Sequence, residues 1–292
     1  MGIKNYIAVD WGSTQLRGWL IRNGQCVGTK QLPLGITRLN GRSPADVFAE
    51  HVAPWRGAEM LPVLMAGMIG SDAGWQAVPY LACPAAIDAP GQQRCAVAEG
   101  VWIIPGLKIA RDGEFNVMRG EETQLLGAME LAPAECYVLP GTHCKWVQVT
   151  DGMVRHFATA MTGELHHLLM TQSLIGKGLP AQQADEAAFE QGLEKGLAQP
   201  SLISELFVAR AARVLGALAA TSVSDYLSGL LIGAEVATLG QRYRTSGVTL
   251  VGDPALNARY SRAMRARGMT VNSCSGDEAL LGGMARIMHE QD

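Results

Sequence analysis

The stretch Asp10-Trp11-Gly12-Ser13-Thr14 decides how the rest of the chain is interpreted. It follows the apolar run 6–9 and precedes a second strand-like run, so the pattern predicts a strand, a glycine loop and another strand. An Asp at a strand end can hold a hydrated Mg²⁺ ion, and Gly12 lets backbone N–H groups approach an anion. The hydroxyls of Ser13 and Thr14 can donate to phosphate oxygens. The same residue types are common in turns, so a phosphate loop and a plain hairpin turn are both open at this point.

Length and composition indicate a globular protein of two ordinary domains. The chain has 292 residues, 48% of them hydrophobic and 17% charged, and its net charge is −3. No stretch concentrates basic residues beside aromatic ones, so nucleic acid is not an expected partner. The six cysteines lack any C-x-x-C spacing. His166 and His167 are adjacent on a predicted helix and do not face one ligand point, and His143-Cys144 lacks two more ligands, so no transition-metal site is expected.

Neither the first residues nor the apolar segments of the chain indicate a membrane protein. Residues 1–5 lead directly into the first strand without a charged and then apolar signal segment. The longest apolar stretch, 226–239, is interrupted by Ser228 and Glu235 and is too short to span a bilayer. We expect a cytoplasmic protein with no membrane partner.

The first half of the chain reads as three strands, a helix and a buried strand. Asn23-Gly24 separates the strand-like runs 15–22 and 25–32, which is a strong hairpin signal. Ser43-Pro44 opens a helix as N-cap and first helical residue. A buried strand at 62–66 follows, the proline-punctuated stretch 76–105 predicts only short strands, and residues 125–129 continue a helix that begins with acidic residues.

The second half begins with the same arrangement and then becomes helical. A strand at 136–139 ends in Pro140-Gly141-Thr142-His143, and a hairpin with the turn Asp151-Gly152 follows. This repeat of strand, glycine loop, hairpin and helix indicates two domains of one design. The remaining predicted elements are helices at 162–169, 181–197, 203–218, 224–239, 254–267 and 277–288 and strands at 247–251 and 269–272.

Three glycine turns after strands give the first resemblance to a known superfamily. They are the first loop, the loop with Gly141 and Thr142, and the turn Gly252-Asp253 before a helix that begins at Pro254. This order is similar to the sugar kinase, Hsp70 and actin superfamily. The resemblance implies an α/β fold of two ribonuclease H-like (actin-like ATPase) domains flanking a nucleotide cleft.

Longer motifs resemble one family within that superfamily, the 2-dehydro-3-deoxygalactonokinases. The motifs cover most of the chain: Asp10 to Thr14 with Leu16-Arg17, Ala66-Gly67-Met68-Ile69-Gly70-Ser71 with Gly74-Trp75 and Pro79-Tyr80, Met118-Arg119-Gly120-Glu121-Glu122-Thr123-Gln124, Leu139 to Val147, and Met161-Thr162-Gly163-Glu164. The resemblance implies ATP-dependent phosphorylation of 2-dehydro-3-deoxy-D-galactonate at its 6-hydroxyl, with Mg²⁺, in galactonate catabolism. The epimeric 2-keto-3-deoxy-gluconate stays open as the substrate.

The resemblance also implies roles for domains and phosphate-binding residues. Residues 1–133 would form a sugar-acid and phosphate-binding domain, and 134–292 a nucleotide-binding domain whose last helix is free to pack back on the first. Asp10 would position Mg²⁺ through water, with Gly12, Ser13 and Thr14 around the β- and γ-phosphates. Nucleotide contacts from the second domain would come from Gly141, Thr142, Lys145, Gly252 and Asp253. For Lys145 alone, the residue pattern favours a solvated edge position.

A kinase of this type needs a carboxylate near the attacking hydroxyl and a cation near the substrate carboxylate. Glu121 and Glu122 are the candidate bases, and one of them is expected only to complement the helix dipole. Arg17, Arg38 and Arg119 are the cations available for the substrate carboxylate. The family resemblance adds a predicted substrate pocket formed by Gly67, Met68, Ser71, Trp75 and Tyr80.

Two alternatives to a sugar-acid kinase stay open. The Gly120-Glu121-Glu122 segment also resembles exopolyphosphatases, which use water as the acceptor. A nucleotide-dependent assembly protein like actin or Hsp70 is the second alternative, although the chain is short for either. A homodimer is compatible with all of these interpretations.

Overall fold

The computed structural model describes residues 2–198 and 201–290, and these divide into two compact units. The first unit holds the described residues of Met1–Pro133, Val149–Phe157 and Gly276–Asp292. The second unit holds those of Ala134–Gln148 and Ala158–Ser275. The segment 149–157, which was predicted with the second half of the chain, is therefore grouped with the first unit.

Strands predominate in the first 133 residues and helices in the rest. The elements up to residue 133 are β1 (Tyr6–Trp11), β2 (Leu16–Arg22), β3 (Gln25–Leu32), α1 (Pro44–His51), β4 (Val63–Ala66), β5 (Leu81–Ala82), β6 (Ala85–Ala86), α2 (Ala89–Gln92), β7 (Cys95–Ala98), β8 (Val101–Ile103), β9 (Leu107–Arg111), β10 (Glu114–Met118) and α3 (Glu121–Leu131). The later elements are β11 (Cys136–Leu139), β12 (Cys144–Thr150), β13 (Met153–Ala160), α4 (Thr162–Gln172), α5 (Glu186–Ala198), α6 (Leu202–Val214), α7 (Val223–Tyr243), β14 (Gly247–Gly252), α8 (Pro254–Ala266), β15 (Thr270–Ser275) and α9 (Gly276–His289).

The main sheet of the first unit has the strand order β3-β2-β1-β4-β8-β7. β1 pairs antiparallel with β2 and parallel with β4, so Asp10 lies between Arg17 on one side and Ala66 on the other. Apolar side chains such as Val9, Trp11 and Met65 are fully buried in the core behind the sheet. The central position of β1 therefore places the Asp10 carboxylate at the end of a rigid, largely buried strand.

Local sequence signals produced the predicted structure in most of this unit. The hairpin at Asn23-Gly24 is present, with both turn residues at positive φ. Ser43 caps α1 by accepting a hydrogen bond from the Asp46 N–H, as predicted. The hairpin of β9 and β10 around Asp112-Gly113 was not predicted, although this dipeptide is a strong hairpin signal and both residues have positive φ.

The last helix, α9, packs closely against α3 within the first unit. A Cβ added at Gly127 would fall on the Ala279 carbonyl oxygen, and one added at Gly283 would fall on the Thr123 carbonyl oxygen. The two helices therefore approach each other backbone to backbone, which only glycine permits at these positions. This contact fixes the position of α3, the helix that carries Glu121 and Glu122.

The second sheet has the order β15-β14-β11-β12-β13, and several helices in this part of the chain differ from their predicted bounds, α5 and α6 among them. The start of β13, within the first unit, also pairs with β6. α5 begins at Glu186 rather than at 181, because the Asp185 side chain accepts from the Ala188 N–H and caps the helix there. α6 ends at Val214 rather than at 218, and Gly216 follows with a φ of 77°.

The described residues contain neither a membrane-spanning helix nor a cluster of metal-ligating side chains. Within residues 2–198 and 201–290, no helix combines the length and the apolar character that crossing a bilayer requires. The same residues contain no group of three or more His, Cys, Asp or Glu side chains arranged to hold a metal ion.

Candidate active site

The first glycine loop is supported from below and leaves its hydroxyls exposed. The carbonyl oxygens of Gly12 and Ser13 accept hydrogen bonds from the N–H groups of Ile36 and Thr37, at 3.0 and 2.9 Å. The side chains of Ser13 and Thr14 are exposed. Because these two carbonyls are already hydrogen-bonded to the 36–37 segment, the loop can present hydroxyl and amide donors to an anion.

Asp10 is held by Arg17, which the sequence had proposed for the substrate carboxylate. Arg17 Nη2 and Nε lie 2.5 and 3.1 Å from Asp10 Oδ2, and Arg17 Nη1 lies 2.5 Å from Asp277 Oδ1. A guanidinium between two carboxylates has its charge balanced within the protein. This pairing makes Arg17 a weak candidate for a substrate ligand.

Gly67 lies against the end of β1 and leaves room there for Gly120, the residue before α3. Its φ is 96°, and a Cβ added to it would lie 2.8 Å from the Trp11 carbonyl oxygen and 3.1 Å from Asp10 Oδ1. Gly120, with a φ of 107°, would place a Cβ 3.3 Å from the Gly67 Cα. The two glycines therefore let the first turn of α3 approach Asp10, which brings the predicted metal carboxylate and the predicted bases into one region of the first unit.

Glu121 and Glu122 have different environments at the start of α3. Glu122 is 1% exposed, and both of its oxygens accept from the Gly120 N–H, at 2.9 and 2.7 Å, while Thr123 Oγ1 donates to Oε1. Burial, together with the charge of Glu121, raises the pKa of Glu122 to about 8. Glu121 is only half-buried, and one of its oxygens accepts from the Arg119 N–H at 2.9 Å. Burial therefore favours the protonated form of Glu122 in the folded protein.

Arg119 has donor atoms without a protein partner. Nη2 donates to the Val78 carbonyl at 2.6 Å, and the guanidinium lies 4.1 Å above the Tyr80 ring. Nε and Nη1 are buried and make no hydrogen bond. A Cβ at Gly70 would come within 2.8 Å of Nη1, so the glycine makes room for the guanidinium. Unfilled buried donors are costly, which makes this group a candidate for binding an anion.

Three other predicted pocket residues, Met68, Ser71 and Trp75, are held by local contacts in the first unit. Ser71 donates to the Met68 carbonyl at 2.7 Å and so closes a short turn after Gly67. Trp75 packs against Phe48, with ring centroids 4.9 Å apart, and both Trp75 and Met68 contact the main core of the unit. Arg38, the third arginine that the sequence offered, is exposed at the end of a short 3₁₀ turn.

In the second unit, the second glycine loop lies against the first turn of α4. The Thr142 carbonyl accepts from the Glu164 N–H at 3.0 Å, and His143 Nε2 pairs with the Glu164 carboxylate. A Cβ at Gly163 would fall on the Gly141 carbonyl oxygen. Gly141 and Thr142 are therefore in a loop held by a helix, with the Thr142 side chain exposed.

The prediction of a solvated edge position for Lys145 is wrong. Lys145 is 5% exposed, and its Nζ donates to Thr159 Oγ1 at 3.2 Å. The reason is the strand order, because β12 lies between β11 and β13 rather than at an edge.

The third turn forms a capped helix start. Asp253 Oδ1 accepts from the N–H groups of Ala255 and Leu256 at 2.9 and 3.0 Å, which makes Asp253 the N-cap of α8. A Cβ at Gly252 would come within 3.4 Å of the Pro140 carbonyl oxygen, so the third turn lies beside the second loop.

A cavity of about 130 Å³ lies within the second unit next to these two turns. Its walls are mainly apolar and come from three helices and the second loop. The lining residues are Gly141, Thr162, Gly163, His166, Ser228, Leu231, Ile232, Leu256 and Tyr260. Apolar walls with a few polar groups are typical of ligand pockets. Apart from Gly141, none of these residues was predicted as a site residue, because they come from three helices that are distant from one another in the sequence.

A buried carboxylate connects the walls of this cavity. Glu235 is 7% exposed and accepts from Trp146 Nε1 and from the Tyr260 hydroxyl, both at 2.7 Å, and from Thr162 Oγ1. These three donors come from β12, α8 and α4. Glu235 therefore ties the second loop's neighbouring elements to α7.

Comparison with known proteins identifies one family over nearly the full chain. The 2-keto-3-deoxy-galactonokinase family matches residues 10–287. The chain is 51% identical over 285 residues to the 2-dehydro-3-deoxygalactonokinase of Escherichia coli strain K12, and the match covers 97% of each chain.

Solved structures give the same result for the fold. A crystal structure from Sinorhizobium meliloti, assigned as a 2-dehydro-3-deoxygalactonokinase, matches with a TM-score of 0.88 and 32% identity over 97% of this chain and 95% of that one. The activator of the 2-hydroxyisocaproyl-CoA dehydratase from Clostridium difficile matches with a TM-score of 0.52 and 13% identity, over 97% of this chain and 94% of that one. The second likeness supports the fold alone, and the predicted actin-like ATPase type of α/β fold is confirmed.

Proposed function

This chain belongs to the 2-keto-3-deoxy-galactonokinase family, and we propose that it transfers the γ-phosphoryl group of ATP to the 6-hydroxyl of 2-dehydro-3-deoxy-D-galactonate. The observation that carries the proposal at the level of the site is the convergence of Asp10, Gly67 and the first turn of α3. It joins a carboxylate suited to a metal ion with the helical turn that carries the candidate general bases. The exopolyphosphatase-like alternative is not favoured, because the family match covers residues 10–287.

The residues around Asp10 fit a Mg²⁺ ion held mainly by phosphate and water. Mg²⁺ is usually bound in such sites through one or two carboxylates and substrate phosphates, and Asp10 supplies one carboxylate. Arg17 engages its Oδ2, whereas Oδ1 lies on the Gly67 side. When bound, Mg²⁺ would neutralise charge on the phosphates. Gly12, Ser13 and Thr14 would donate hydrogen bonds to the β- and γ-phosphates.

We assign the role of general base to Glu121. The attacking hydroxyl loses its proton as the phosphoryl group is transferred, so the base must be ionised and within reach of the substrate. Glu122 is buried, burial raises its pKa to about 8, and both of its oxygens accept from the Gly120 N–H. Glu121 is half-buried and lies in the same helical turn. Glu122 would then act as the residue that fixes the turn between Gly120 and α3.

We assign the substrate carboxylate to Arg119. Its Nε and Nη1 make no hydrogen bond within the protein, and either can donate a charge-assisted hydrogen bond to a carboxylate. Arg17 is already paired with two carboxylates. Gly67, Met68, Ser71, Trp75 and Tyr80 would then shape the pocket around the sugar acid.

The nucleotide is assigned to the second unit. Gly141 and Thr142 would contact the phosphates, and the cavity beside Gly252 would take the base and ribose. Leu231, Ile232 and Leu256 give this cavity apolar walls, which suit an aromatic base. Lys145 would support the loop from within the sheet, and Asp253 would act through its cap on α8.

The test is ADP formation by the purified protein with ATP and Mg²⁺, measured with and without the sugar acid. Glu121→Gln is expected to lower kcat by at least about a hundredfold, which is the usual contribution of a general base. Glu130→Gln, at the other end of the same helix, is the matched control and should keep full activity. ADP formed equally without the sugar acid would overturn the kinase in favour of a hydrolase.

The assignment of the base has its own test. If Glu122→Gln lowers kcat more than Glu121→Gln does, Glu122 is the base and Glu121 the supporting residue. Substrate preference is measured on the same protein as the ratio of kcat/KM for the galactonate and gluconate epimers. A ratio in favour of the gluconate epimer would change the substrate but not the reaction.

A further inference from the structure

Arg17 joins two carboxylates that are far apart in the chain. Nη1 contacts Asp277 Oδ1 at 2.5 Å, and Nη2 contacts Asp10 Oδ2 at 2.5 Å, with Nε as a second donor to Oδ2. All three residues belong to the first unit. The side chains of Arg17 and Asp10 are about a quarter exposed, at 27% and 22%, so the pair is partly shielded from solvent.

Asp277 is presented by a helix that cannot shift easily. It lies in the first turn of α9, which packs backbone to backbone on α3 through Gly127 and Gly283. Gln124 on α3 also donates to the Gly276 carbonyl, at 3.4 Å, directly before Asp277. A close helix pair of this kind has little freedom to slide, because any shift brings backbone atoms into contact.

We propose that Asp277 is a positioning residue for Asp10 and acts through Arg17. The guanidinium is a planar fork, so anchoring Nη1 on Asp277 sets the direction of the Nε and Nη2 donors. Those donors engage Oδ2 of Asp10 and leave Oδ1 on the Gly67 side. The inference rests on the proposed function, because it takes Asp10 as the carboxylate that orients Mg²⁺.

The contact also connects the metal carboxylate to the helix of the proposed base. α9 carries Asp277, and the helix against which it packs, α3, carries Glu121 and Glu122. A series of contacts therefore sets the spacing between the metal-orienting and proton-accepting carboxylates. It runs from Asp10 through Arg17 and Asp277 to α9 and α3. A displaced Asp277 would loosen that spacing without removing either group.

The experiment measures binding of Mn²⁺, a spectroscopic substitute for Mg²⁺, in the presence of adenylyl-imidodiphosphate by electron paramagnetic resonance. Asp277→Asn should weaken Mn²⁺ binding about fivefold, since the hydrogen bond from the Arg17 guanidinium loses its charged acceptor and anchors the fork less firmly. Glu278 is the neighbouring acidic residue in the same helical turn. Glu278→Gln removes the same charge near the N-terminus of α9 and should leave binding unchanged. Asp277→Glu should restore binding in part. Equal affinities for Asp277→Asn and Glu278→Gln would overturn the proposal.

A second variant tests whether the effect passes through Arg17. Arg17→Lys keeps the charge but cannot engage both carboxylates with a planar fork, so it should weaken Mn²⁺ binding as well. Adding Asp277→Asn to Arg17→Lys should then cost little more. A full fivefold loss in that background would show that Asp277 acts independently of Arg17 and would overturn the proposal. Failure of the proposed function would appear separately, as an absence of sugar-acid-dependent ADP in the unaltered protein.

Discussion

Replacement of Glu122 by Gln should remove a pH dependence of stability that the buried carboxyl creates. In the folded protein the pKa of Glu122 is raised from 4.5 to about 8 by burial and by the charge of Glu121. In the unfolded chain the carboxyl is solvated and loses its proton near its ordinary pKa. Between these two values the folded state binds one proton more than the unfolded state, so the free energy of unfolding falls as the pH rises.

The expected magnitude follows from the size of the shift. Each unit of pKa difference corresponds to about 1.4 kcal/mol. The free energy of unfolding is therefore up to about 5 kcal/mol lower above the pKa of the folded state than below the pKa of the unfolded state. Most of this loss, about 4 kcal/mol, falls between about pH 5 and about pH 8. The glutamine that replaces Glu122 is neutral throughout and keeps an oxygen to accept from the Gly120 N–H, so this contribution to the slope disappears in the variant.

The assay is urea unfolding of both proteins at a series of pH values, with the midpoint and the slope fitted at each. The variant should gain about 4 kcal/mol relative to the unaltered protein across the interval from about pH 5 to about pH 8. Glu121→Gln provides a second check, because removing the neighbouring charge should lower the pKa of Glu122 and make the dependence shallower. Parallel curves for the unaltered protein and Glu122→Gln would refute the reasoning, since Glu122 would then titrate alike in both states.

Three further predictions concern packing, the buried carboxylate and the cavity. Gly283→Ala should lower the free energy of unfolding by about 2 kcal/mol, because the new methyl group falls on the α3 backbone. Gly282→Ala is the control and should be neutral or slightly stabilising. Equal effects of the two substitutions in urea unfolding would contradict this. Glu235→Ala should lower the free energy of unfolding by about 3 kcal/mol, because it leaves the Tyr260 hydroxyl and other buried donors unpaired. Glu235→Gln should lower it less. A loss below about 1 kcal/mol for Glu235→Ala would be inconsistent with the hydrogen bonds described. Ser228→Trp should fill the cavity and raise the KM for ATP at least about tenfold while the KM for the sugar acid stays the same, and an unchanged KM for ATP would exclude the cavity as the nucleoside site.

Local signals explain why much of the fold could be predicted. Asn23-Gly24 and Asp151-Gly152 form hairpins because these residues adopt positive φ readily, and Ser43 caps α1 through a hydrogen bond three residues away. The missed hairpin at Asp112-Gly113 carries the same kind of signal, but it follows a stretch whose prolines obscure the strand pattern. The early start predicted for α5 overlooked the cap at Asp185.

By itself, the sequence determined the glycine loops, the order of strands and helices and, through its motifs, the family. These properties depend on residues within a few positions of one another, or on long motifs shared with relatives. The tertiary structure alone decided that Lys145 is buried in a central strand, that Glu122 is buried while Glu121 is not, and that Arg17 is paired with Asp277. The physical reason is that burial, pKa and ion pairing depend on which distant segments surround a side chain, and no local pattern records that.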